Sequence, residues 1–194
     1  DGIRDRRKSL VGSEMCIRDS STINGNSADL AVGGINNFGG EVTLISSIVT
    51  GNIAHEAGIN EISNSGTFTA DNSNVFGHSG ETNAEAFNGF TPGSNDVIAT
   101  SDCDTNEDNC IPTALSDILG PVADNGGPTK THALVPGSPA LDLDATCSTG
   151  LTEDQRGEPR PVGDGCDAGS FEGSISIEKN TSFLPAIYLL LLNN

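Results

Sequence analysis

The six residues Ser21-Thr22-Ile23-Asn24-Gly25-Asn26 return as Ser47-Ile48-Val49-Thr50-Gly51-Asn52 and again as Ser73-Asn74-Val75-Phe76-Gly77-His78. Gly25, Gly51 and Gly77 are thus separated by two identical steps of 26 residues. A second element keeps the step, since Val42-Thr43-Leu44 matches Phe68-Thr69-Ala70. Between the two, Gly34-Ile35-Asn36 and Gly58-Ile59-Asn60 look equivalent, with small insertions on either side. Self-similarity at a period of about 20–50 residues is the signature of a solenoid, in which each unit buries its apolar face only against its neighbours.

The local period says which solenoid. Residues two apart share one face of a strand. Ile23, Val49 and Val75 therefore form one inward column, and Ser21, Ser47 and Ser73 another. The intervening Thr22, Ile48 and Asn74 should face out. Val42 with Leu44 and Phe68 with Ala70 supply a second inward face beyond a glycine-rich bend. No window of 21–80 carries the i, i+3, i+4, i+7 spacing of an amphipathic helix. A circuit of 26 mostly extended residues is about 85 Å around, enough to close a coil of three short strands, each hydrogen-bonded to the next coil at about 4.8 Å. Gly25, Gly51 and Gly77 then mark a turn that needs positive φ. The expectation is an all-β fold, a right-handed parallel β-helix, with about two and a half coils over 21–100. Because stacked repeats need about three units for stability, further coils are expected upstream.

Composition agrees. Glycine numbers 24 of 194, Trp is absent and aromatics make up 4%, a mix that favours tight turns over long helices. The net charge of −18 repels phosphate backbones and anionic lipid, so nucleic acid is not expected as a partner.

Two terminal stretches differ from the rest. Residues 1–20 hold five of the nine basic residues, the single Met and the odd Cys16. They have no apolar core of a signal peptide, and the run from Ser9 to Ser20 resembles translated sequencing-adapter read-through, so 1–20 are set aside as foreign or disordered. At the other end, 174–194 contain the ten-residue apolar run Phe183 to Leu192. That run is too short to span a bilayer core of about 30 Å, and reads as a degenerate anchoring tail or a packed terminus.

Residues 101–173 are punctuated by Pro, Gly and Cys. They carry, in order, Asn125-Gly126-Gly127-Pro128-Thr129, His132-Ala133-Leu134, Pro136-Gly137-Ser138-Pro139-Ala140, Asp154-Gln155-Arg156-Gly157, Arg160-Pro161 and Cys166-Asp167-Ala168-Gly169-Ser170-Phe171-Glu172. With the coils before it, over 21–172, this series resembles the C-terminal part of bacterial surface proteins called choice-of-anchor Q domain proteins, which are related in shape to pectate-lyase-like proteins. The resemblance implies an exported β-helix at the cell surface and implies no particular chemistry. Physically the module reads as a cap over the open solenoid end, whose strand edges would otherwise invite aggregation. Cys103, Cys110, Cys147 and Cys166 lie in this half with no CxxC pair and no nearby histidines, which favours two disulfides in an oxidising compartment over zinc. Joining Cys147 to Cys166 would staple the Asp-Gln-Arg-Gly loop, and joining Cys103 to Cys110 would close a tight surface loop. Arg156 and Arg160, two of the four basic residues after residue 20, are expected to pair with Asp154, Asp167 or Glu172.

Catalytic patterns are sparse. The coils 21–100 contain no Lys or Arg, which disfavours a lyase site there, and Asp29, Asp71 and Asp96 are scattered rather than paired as glycosidase carboxylates are. His55, His78 and His132 are isolated. His78 takes the place of Asn26 and Asn52 and reads as a solvent-facing turn residue. The ligand candidate is Asp102, Asp104, Asn106 and Asp108, whose alternating oxygen donors match the start of a calcium loop. Glu107 stands where such a loop has Gly, and Thr113 where it has Glu. No catalytic residue and no cofactor other than calcium is assigned. The reading is a monomeric, non-catalytic extracellular or cell-surface protein of surface-display or adhesin type, its partners carbohydrate surfaces or other cells. The alternatives are a pectate-lyase-like carbohydrate-active enzyme with its site on upstream coils, and a calcium-dependent carbohydrate-binding module.

Overall fold

The computed structural model describes residues 15–56, 58–71, 73–107 and 109–173. Residues 1–14, Asp108 of the calcium candidate and the apolar tail lie outside the described residues.

The chain folds as a parallel β-solenoid of about three turns. One sheet stacks β1 (Met15–Asp19), β5 (Glu41–Ile45) and β9 (Thr67–Asp71). A second stacks β2 (Thr22–Asn24), β6 (Ile48–Thr50), β10 (Val75–Phe76) and β12 (Val97–Ile98). A third stacks β4 (Ile35–Asn37), β8 (Ile62–Asn64) and β11 (Phe87–Asn88), and the short β3 (Ser27–Ala28) pairs with β7 (Ile53–Ala54). All of these pairings are parallel. The stacking begins inside the segment set aside at the sequence level. Met15–Asp19 pairs along its length with β5, Cys16 opposite Val42, on the same 26-residue register that places Val42 opposite Phe68.

The register changes at the third coil. β2 pairs with β6 at a step of 26, Ile23 opposite Val49, but β6 pairs with β10 at a step of 27, Val49 opposite Phe76 and Ile48 opposite Val75. One extra residue between β9 and β10 causes this, and a one-residue slip turns every side chain of a strand to its other face. The expected column of Ile23, Val49 and Val75 is therefore corrected: Phe76 fills the lumen, while Val75 lines up with Ile48. Asn74 likewise takes the place expected for Ser73. Its Oδ1 accepts from the Ser47 amide at 2.9 Å, and the Ser47 Oγ accepts from the Ser21 amide at 3.2 Å. The equivalence of Gly34-Ile35-Asn36 with Gly58-Ile59-Asn60 is corrected too, because Ile35 pairs with Ile62 and Ile59 with Val32.

Two cores result. The lumen holds Val42, Leu44, Val49, Ile62 and Phe76, flanked by Ile23, Ile35, Phe68, Ala70, Phe87 and Phe90. The second lies outside the lumen, on the opposite face of β6, β10 and β12. Ile48, Val75, Val97 and Ala99 pack there against Ile118, Leu119, Ala140 and Ala168 of the C-terminal module. Ile48, expected to face out, is fully buried. Each such aliphatic side chain removed from water contributes roughly 1.5–3 kcal/mol.

The module therefore seals a flank of the stack as well as following it in sequence. Its elements are the one-turn helix α2 (Leu115–Ile118) and the antiparallel pair β13 (Leu119–Ala123) and β14 (Thr131–Leu134), whereas the one-turn helix α1 (Asn83–Ala86) belongs to the third coil. Hydrogen bonds fix it to successive coils: the Ser170 amide donates to Thr22 Oγ1, the Gly169 amide to the Ser46 carbonyl, and Ser46 Oγ to Asp144. The disulfides Cys103–Cys110 and Cys147–Cys166 are both formed.

Candidate functional site

The motifs of the module meet in one hydrogen-bonded knot. Arg156 donates from Nε and Nη2 to Asp154 Oδ2 at 2.8 and 2.7 Å, lies 3.6 Å over the Phe171 ring, and reaches the Glu172 carbonyl. Arg160 donates to the carbonyls of Asp167 and Gly169, with its Nε 3.6 Å from Glu172 Oε2. Glu172 in turn accepts from the amides of Val162 and Asp167. Buried charges are tolerated only when paired and hydrogen-bonded, so these residues are committed to holding the module together. Burial, with the nearby charges of Glu172 and Asp142, pushes the Asp167 carboxyl up to about 6 despite amide bonds from Asp142 and Gly173.

Of the calcium candidate, Asp102, Asp104 and Asn106 lie among the described residues. Asp102 Oδ1 accepts from the Asn83 amide at 2.6 Å, and Asp104 Oδ1 accepts from the Asn106 amide and side chain, which holds its carboxyl below the ordinary range. The loop is exposed and closed by its disulfide. Gly25, Gly51 and Gly77 have φ of +70°, +68° and +70°.

A different group converges in the corner between the second and third sheets. Glu61 sits immediately before β8, its backbone paired with Ala86 on one side and Ile35 on the other. The registers place Gly34 and Ala86 directly below and above it, and these small residues leave room for a buried carboxylate. The Gly51 turn sends Asn52 inward, where its amide donates to Glu61 Oε1 at 3.1 Å and its Nδ2 to Oε2 at 2.5 Å. The Asn52 side-chain Oδ1 accepts from Asn26, amide and side chain. Glu81 reaches the same corner from the link between β10 and α1, its Oε2 accepting from Asn60 Nδ2 at 2.9 Å. His78, from the same link, has Nδ1 accepting from the Gly80 amide and Nε2 3.8 Å from Glu81 Oε1. Ligand atoms of Glu61, His78 and Glu81 all lie within 4.8 Å of one another.

Glu61 is fully buried and Glu81 nearly so. Burial, then the charge of Glu81, pushes the Glu61 carboxyl up to about 9 against the Asn52 hydrogen bonds. Burial also raises Glu81, while Asn60 and His78 oppose the rise. At neutral pH Glu61 therefore keeps its proton. The expectation that His78 faces solvent is corrected: its side chain is only 20% exposed. Neither glutamate is singled out by sequence reading. The available signal was two acidic residues in a stretch without a single Lys or Arg, and the misaligned Gly-Ile-Asn equivalence hid that Glu61 stacks on Gly34.

In comparisons with known proteins the chain matches no family model, no curated protein and no solved structure.

Proposed function

We propose that this chain belongs to an exported, non-catalytic β-solenoid that serves at a bacterial cell surface as a display or adhesin-like stalk. The observation that carries this reading is the sealed flank. The motif residues of the C-terminal module, which resemble those of choice-of-anchor Q domain proteins, spend their charges on one another and their apolar side chains on the second core. They build a rigid terminal block rather than an open cleft. Two disulfides are in keeping with an oxidising compartment, and among the described residues no helix is long and apolar enough to cross a membrane. Surface carbohydrate or another cell is the fitting partner.

The test is to present the purified chain with a panel of acidic and neutral polysaccharides. Retention is measured on the immobilised glycans, and release of unsaturated or reducing ends in solution. A stalk gives no turnover on any of them. Product formation above the blank sinks the proposal in favour of a carbohydrate-active enzyme. Glycan retention that needs calcium and disappears with a chelator makes the chain a calcium-dependent binding module instead.

A further inference from the structure

We infer that Glu61, His78 and Glu81 form a binding site for one divalent transition-metal cation, zinc or manganese in type, at the corner between the second and third coils. Four observations converge on it. The three residues come from two separate links of the chain, yet coil stacking brings their ligand atoms within 4.8 Å of one another. The Glu81 side chain is 3% exposed; the Glu61 carboxyl is hydrogen-bonded to it, and among the described residues its Oε1, 3.8 Å from His78 Nε2, accepts from no nitrogen or hydroxyl donor. An orphaned, desolvated carboxylate oxygen is costly, and a cation supplies what it lacks. No Lys or Arg occurs anywhere in 21–100, so no lysine or arginine of the coils is paired with the buried Glu61 and Glu81. Finally, Asn52 donates once to each oxygen of Glu61 and Asn60 once to Glu81 Oε2, and a carboxylate oxygen has a second lone pair to give.

The ligand set names the ion class. One imidazole with two carboxylates is the mixed nitrogen and oxygen set that suits zinc and manganese, whereas calcium takes six to eight oxygens. Metal–ligand distances of about 2.0–2.2 Å require the three groups to draw in. His78 is the partner that moves, being the one that is partly exposed. Its Nδ1 exchanges the Gly80 amide for the ring proton as Nε2 takes the metal, and exposed Gly80 turns its N–H to water. The effect of the cation on the fold is a cross-link between coils, since Glu61 belongs to the second turn and His78 and Glu81 to the third.

The full chain, stripped with a chelator and dialysed, is titrated with Zn2+ and separately with Mn2+ by calorimetry, and its melting is followed with and without the ion. The expected result is one ion per chain with a raised melting temperature. His78→Ala and Glu81→Gln should lower affinity at least about tenfold each, in line with losses on removing a ligand or its support, while Asp104→Asn leaves it unchanged. His78→Ala alters a partly exposed side chain and keeps the coil packing; its circular dichroism and metal-free melting must match the parent for the comparison to count. The inference is overturned if the folded parent binds neither ion stoichiometrically. It is equally overturned if binding survives in both ligand variants, or if Asp104→Asn is the change that abolishes it.

Discussion

At the residue scale, the positions that matter most are those where one atom decides. A Cβ on Gly34 would run into the Glu61 carbonyl and sit 3.1 Å from Asn52 Nδ2. Gly34→Ala is expected to cost about 1–3 kcal/mol through overpacking, read from denaturant unfolding. Gly25→Ala meets nothing within 4 Å, but its φ is +70°. It should cost only the left-handed backbone penalty of about 1–2 kcal/mol. Asp167 gives the pH prediction. Its folded pKa of about 6 lies above the unfolded 3.8, so the folded state holds its proton more tightly. The contribution is complete below about pH 4 and is lost as pH rises through about 6. Asp167→Asn removes that slope and leaves one of the Asp142 and Gly173 amides unsatisfied. Melting temperature measured from pH 4 to 7 should therefore be lower overall and flatter; an unchanged slope refutes the assignment.

At the scale of elements, β6 is the junction between the two cores. Val49 points into the lumen, Ile48 into the contact with the module, and Thr50 donates to the Gly77 carbonyl at 2.7 Å. Ile48→Ala should destabilise by about 2–5 kcal/mol as a buried truncation does. If Ile48 were a solvent-facing residue, the change would cost less than about 0.5 kcal/mol. Ile48→Asp should go further and detach the flank. Limited proteolysis would then cut within 112–173 while the coils 41–71 stay protected, whereas equal sensitivity in both regions would refute a separate second core.

At the scale of the whole molecule, the disulfides act on different loops. Cys147–Cys166 spans 19 positions and Cys103–Cys110 spans 7, so the chain-entropy model assigns roughly 3 and roughly 2.5 kcal/mol. Replacing both members of the Cys147 pair by Ala should lower stability by the larger amount and loosen the Asp154–Arg156 loop that it staples. The acidic surface adds a salt dependence: with a net charge of −18, moderate salt screens self-repulsion and should raise the melting temperature. A melting temperature unaffected by salt between low and physiological ionic strength would place the acidic groups too far apart to interact.

The sequence by itself determined the solenoid, because a repeat of glycine turns and alternating apolar residues has no other way to bury its columns. It also determined the two disulfide partners, which lie close along the chain, and the Arg-carboxylate pairs of the module, where three basic residues had few places to go. Tertiary structure decided the rest. A single extra residue before Val75 is invisible to a count of glycines, since Gly51 and Gly77 keep their step, yet it exchanges Val75 for Phe76 in the lumen. That Ile48 is buried depends on a module more than 60 positions away in sequence docking on the outer face. The corner of Glu61, His78 and Glu81 is likewise made by stacking. Each residue alone looks like an ordinary turn residue, and only the 4.8 Å spacing between coils turns three of them into one site.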